Sequence, residues 1–105
     1  MSPTQLSLRW LRERGYTAEV VEHYSSFDRK RHDLFGFGDI LALKRDEVLI
    51  VQTTTAHNVN ARIKKIADSP YINAVREAGV RVTCHGWSQA KPRARWVLTR
   101  NEDLS

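Results

Sequence analysis

Gly38-Asp39-Ile40-Leu41-Ala42-Leu43-Lys44, then Arg45-Asp46, then Glu47-Val48-Leu49-Ile50-Val51-Gln52-Thr53-Thr54, is the stretch that decides the fold. It reads as two strands around a tight turn. Leu49, Ile50 and Val51 are apolar on consecutive positions, so the second strand is expected at the centre of a sheet, buried on both faces. Counting outward from the turn pairs Lys44 with Glu47, Leu43 with Val48, Leu41 with Ile50, and Asp39 with Gln52. Opposite residues share a face about 5 Å apart, and Thr54 lies one alternate step beyond Gln52. The spacing thus gathers Asp39, Gln52 and Thr54 at one end of an apolar hairpin. A three-residue connection instead of two would shift that register.

On the N-terminal side, Ser2-Pro3-Thr4-Gln5 opens a helix to about Arg14, with Ser2 as cap, Pro3 at the first helical position and Gly15 as the stop. Tyr16 to Tyr24 alternates like a strand, and the polar, basic Ser25 to His32 reads as a loop. On the C-terminal side, Val59, Ile63 and Ile66 mark one face of a helix from Ala56 to Asp68. A short helix follows from Tyr71 to Ala78, then strands at Val80 to His85 and near Arg95 to Thr99. The order is helix, three strands, helices and two strands, a mixed α/β layer fold.

The 105 residues are the size of one domain, 1–105, and 41% hydrophobic content is too high for a disordered chain. Seventeen Lys plus Arg, twelve of them Arg, against twelve Asp plus Glu leave a charge of +5, which favours a polyanionic partner such as nucleic acid. A single cysteine, Cys84, excludes an internal disulfide and a cysteine zinc site, and the four histidines lack ligand spacing for zinc. No membrane-length apolar run or signal-peptide pattern occurs, so an intracellular, cytoplasmic setting is expected. Gly36-Phe37-Gly38 precedes a strand and lacks a third glycine, so no nucleotide cofactor is expected.

A carboxylate beside an amide oxygen suits a hard cation such as Mg²⁺ or Mn²⁺, which lowers the pKa of bound water and stabilises charge on a phosphodiester under attack. The plainer alternative makes Asp39 a turn residue and Gln52 and Thr54 the end of a strand entering solvent.

The order αβββαβ, with an acid opening the second strand and a polar residue on the third, resembles the PD-(D/E)xK nuclease superfamily, the restriction-endonuclease-like and Holliday-junction-resolvase-like proteins. Gly38-Asp39 resembles the family's Pro-Asp, with Gly for Pro. Gln52-Thr53-Thr54 falls on its acid-x-Lys motif. The Phe35-Gly-Phe-Gly-Asp-Ile-Leu-Ala-Leu run, the Gln-Thr-Thr triplet and His85-Gly86-Trp87 look like small phage-encoded members. The resemblance implies a restriction-endonuclease-like core and an Mg²⁺- or Mn²⁺-dependent endonuclease acting on DNA, branched or junction DNA included, as a homodimer. Asp39 and Gln52 would then hold the metal.

Thr54 stands where the family has its catalytic Lys, so the charge must come from elsewhere. Lys64 or Lys65 on the following helix are the candidates, with Lys44 disfavoured because strand parity places it opposite to Asp39. Asp33, Glu19 or Glu13 would add an acid, and His57 stands near the expected path of a substrate phosphate. Arg29, Lys30 and Arg31, then Arg62 and Lys65, then Lys91, Arg93 and Arg95 form basic groups for phosphate contacts. Trp87 and Trp96 are candidates to stack on a base. Two rival readings stand beside the nuclease: an inactive nucleic-acid-binding module on the same fold, and a basic protein-interaction domain.

Overall fold

In the computed structural model, which describes all 105 residues, the central hairpin forms in the register the turn sets. Strands β4 (Ile40–Lys44) and β5 (Glu47–Thr55) pair antiparallel, with Lys44 opposite Glu47, Leu43 opposite Val48 and Leu41 opposite Ile50. Arg45, in the turn, takes the left-handed φ of 56°. Around this pair stand β1 (Thr17–Val20), β6 (Arg81–Gln89) and β7 (Trp96–Asp103), giving a five-stranded sheet in the order β1-β4-β5-β6-β7. Only β5 and β6 run parallel; the other neighbours are antiparallel. The protein is therefore α/β with a mixed sheet, and β5 is its middle strand.

Helices cover both faces, which is why β5 is apolar on consecutive positions. On one face α1 (Pro3–Glu13) packs Leu8 and Leu11 against Ala18, Ile40, Ala42, Leu49 and Val51. Its start is capped as the sequence indicates, Gln5 N donating to Ser2 Oγ at 3.2 Å. On the other face, α2 (Val59–Ala67) and α3 (Ile72–Glu77) bury Val59, Ile66, Ile72 and Val75 against Phe37, Ile50, Val82 and Cys84. No helix is long and apolar enough to cross a membrane.

Three segments differ from expectation: the strand read over Tyr16 to Tyr24 is broken at Val21 and Glu22, where the chain leaves the main sheet after β1. Ser25 to His32 is not all loop: β2 (His23–Ser25) and β3 (Lys30–His32) form a separate hairpin in the register His23–His32, Tyr24–Arg31, Ser25–Lys30. Its strands are exposed, so no apolar alternation betrays them. Asp28 holds the hairpin locally, accepting from Lys30 N at 3.1 Å and meeting His32 Nε2 at 2.8 Å, while the His23 and His32 rings stack at 5.6 Å. The last two strands are also longer than their apolar runs. They stay paired past Gly86 through a register shift between Gly86 and Trp87.

Gly86 has a packing reason. A Cβ there would stand 2.4 Å from Val59 Cγ2 and 3.0 Å from the Ala56 Cα. Gly86→Ala is therefore expected to destabilise the fold by about 2 kcal/mol through overpacking, read as a lower urea midpoint with unchanged slope. An unchanged midpoint would show that α2 yields without penalty.

Candidate metal centre

Asp39 immediately precedes β4, held by its own N–H to Val51 O at 2.9 Å, and is only 4% exposed. Its Oδ2 accepts three hydrogen bonds: from Gln52 Nε2 at 2.7 Å, Thr53 N at 2.8 Å and Thr53 Oγ1 at 3.1 Å. Asp39 and Gln52 are thus neighbours, as the register requires. It is the amide nitrogen of Gln52 that faces the acid, and its buried Oε1 has no hydrogen-bond partner.

The preceding glycine explains the missing proline. Gly38 N donates to Leu34 O at 2.8 Å, a bond proline cannot make. A Cβ at Gly38 would also lie 2.6 Å from Ile50 Cγ2. The tight Leu34–Gly38 turn needs a small residue with a free N–H.

Two further acids converge on Asp39. Carboxylate oxygens of Glu22, Asp33 and Asp39 lie within 4.8 Å of one another. Glu22 is in the link between β1 and β2, and Asp33 follows β3, so the small hairpin springs from between them. Each flanking acid has a cation: Lys65 Nζ meets Asp33 Oδ2 at 2.8 Å, and Arg31 lies 3.7 Å from Glu22. Burial, above all, pushes the Asp39 carboxyl up to about 7, and the charges of Asp33 and Glu22 push the same way against the Thr53 hydrogen bonds.

The other candidates are dispersed. Asp33 belongs to the cluster, but Glu19 points outward, 80% exposed and 3.6 Å from Arg12; Glu22, three residues on, stands where Glu19 was expected. Glu13 is exposed on α1. Lys64 turns to solvent and pairs with Asp68 at 2.9 Å, leaving Lys65 as the lysine at the acids. Thr54 is buried on β5, yet the threonine that touches Asp39 is Thr53. Thr53 also meets Thr4 Oγ1, in the first turn of α1, at 2.8 Å.

Arg62 is half-buried one turn before Lys65, whereas Lys91, Arg93 and Arg95 are exposed around the β6–β7 connection. Arg29 and Lys30 are exposed on the small hairpin. His57 is exposed, 3.5 Å from Thr55 Oγ1. Trp87 is not a free stacking surface: it is 6% exposed and donates its indole N–H to Ser7 Oγ at 2.8 Å.

Three converging carboxylates form a hard, all-oxygen donor set, the chemistry that Mg²⁺ and Mn²⁺ prefer, and a turn of the Gln52 amide would present its oxygen to them in place of its nitrogen. The unpartnered Oε1 of Gln52 and the mutual repulsion of the acids both fit a cation at this place. Comparisons of the chain with protein-family models, with curated proteins and with solved structures return no match.

Proposed function

We propose that this chain is a divalent-metal-dependent endodeoxyribonuclease with a restriction-endonuclease-like core of the PD-(D/E)xK type. The observation that carries the reading is the convergence of Glu22, Asp33 and Asp39, with the Gln52 amide on Asp39 and Lys65 at their edge. Its topological support is a helix, three antiparallel sheet strands, helices and a strand parallel to the third.

Asp39, Glu22, Asp33 and Gln52 would hold the metal, which when bound supplies a water of lowered pKa and charge stabilisation at the phosphate. Thr53 fixes the Asp39 carboxylate through its N–H and hydroxyl. Lys65 supplies the positive charge that Thr54 lacks, placed to neutralise a phosphate oxygen as charge develops on it. Arg62, on the same helix, and the basic hairpin carry the backbone contacts, a role that reads no base sequence.

Lys65→Ala is expected to lower the cleavage rate about a hundredfold or more, whereas Lys64→Ala stays within about twofold. The measurement is single-turnover cleavage of labelled linear, nicked and four-way DNA in Mg²⁺ or Mn²⁺. Equal losses in the two variants would remove Lys65 from its role. A second reading has its own support: Asp39, raised to about 7 and held by three donors, is a settled network without a cation. Salt-sensitive DNA binding without cutting in either metal would favour that inactive binding module.

A further inference from the structure

Phe27, at the tip of the β2–β3 hairpin, is 99% exposed, and Tyr24 on the same hairpin is 59% exposed. Burying a phenylalanine is among the larger favourable terms in folding, a gain this fold leaves unused at that position. The hairpin that carries it is otherwise well organised, closed by Asp28, stiffened by the stacked His23 and His32, and tied at its root by Arg31–Glu22 and Lys65–Asp33. Arg29 and Lys30, beside the tip, are exposed and free of ion pairs, while Asp28, the one acid at the tip, is engaged by His32 and Lys30 N. A hollow of about 430 Å³ opens at the hairpin root between His23, His32, Asp33 and the Phe35–Tyr71 ring pair.

We propose that this hairpin is a wedge that seats Phe27 in the base stack of branched DNA, with Arg29 and Lys30 on the flanking phosphates and the strand running back toward the acids at its root. Apolar side chains inserted between base steps must overcome stacking, and the penalty is smallest where a branch has already interrupted it. The polyanion accounts for the cations and the exposed bases for the ring. Glu22 stands at the root of the hairpin and Phe27 in its turn, with the three-residue strand β2 between them. Resting on the nuclease reading above, the wedge therefore also sets where the cut falls: at a short, fixed distance from the branch.

The test separates the wedge from the chemistry. In EDTA, the wild-type chain is expected to bind a four-way junction about tenfold more tightly than a linear duplex of equal length, and to raise the emission of 2-aminopurine placed at the branch. Phe27→Ala should lose that preference and that signal while keeping its linear-duplex affinity and its circular dichroism, and Phe27→Leu should retain most of both. Loss of affinity for both DNAs alike, or an unchanged 2-aminopurine signal, overturns the wedge. So does Phe27-dependent binding to phosphatidylglycerol vesicles in place of DNA. Cleavage in Mn²⁺ is read separately: cutting that ignores Phe27 sinks the wedge alone, and a Phe27-dependent signal without cutting sinks only the nuclease reading.

Discussion

Replacing Asp39 by Asn is expected to make the metal-free protein more stable above pH 7 while abolishing cleavage and the response to divalent ions. The sign follows from the direction of the shift. Asp39 titrates near 7 in the fold and near its ordinary 3.8 when unfolded, so between those values the folded chain binds the extra proton. Its contribution to stability is intact below pH 3.8, declines as the pH rises, and is fully lost above about 7. Three units correspond to about 4 kcal/mol, shared with the neighbouring acids, so an Asn at 39 should gain of the order of 2–3 kcal/mol at pH 8 and almost nothing at pH 4. Urea unfolding at both pH values in EDTA measures this. Adding Mg²⁺ or Mn²⁺ should then raise the midpoint of the wild type and leave Asp39→Asn unmoved. An Asn variant less stable than wild type at pH 8 would show that the Thr53 and Gln52 hydrogen bonds outweigh the burial of charge.

His85 should drive stability in the opposite direction. Its ring is 1% exposed, with Nδ1 2.9 Å from Ser7 Oγ, the oxygen that also accepts from the Trp87 indole N–H. Burial, with the Arg14 charge second, lowers its pKa to about 4. The unfolded chain takes up a proton at this histidine near 6.5 that the folded chain refuses until about 4, so stability is full above 6.5 and is lost as the pH falls through that window. The loss approaches about 3 kcal/mol at pH 4. Because Asp39 and His85 titrate against each other across the same range, the wild-type profile should be flatter than either contribution. His85→Gln, compared with wild type at pH 7, 5.5 and 4, should remove the acid-side loss; an identical slope in both proteins would show that water reaches the ring and that His85 charges freely.

The β4–β5 hairpin was legible because two local signals agree: a run apolar on consecutive positions and a short polar turn between pairable strands. That agreement fixed Asp39 beside Gln52. The rule of alternation then failed one residue later. Just before β4 the backbone still bonds across, Asp39 N to Val51 O, but the Asp39 carboxylate takes the Thr53 N–H, so Thr53 rather than Thr54 touches it. Glu22 was illegible for a different reason. It lies in a link between exposed short strands, where burial imposes no pattern, and only the tertiary return of the chain at Asp33 brings it to the cluster. The choice between Lys64 and Lys65 was within reach of helical geometry. With Ile66 inward, Lys65 is about 100° around the helix from it and Lys64 about 200°, so the second must face solvent.

The hydroxyl contact between Thr4 and Thr53 ties the first turn of α1 to the Asp39 carboxylate through one shared side chain. Tightening or loosening the seat of that first helical turn would adjust how firmly Thr53 grips the carboxylate, and with it the appetite of the acids for an ion. If the acids take an ion, docking of a distant helix is thereby a lever on it that changes none of the residues that would hold it.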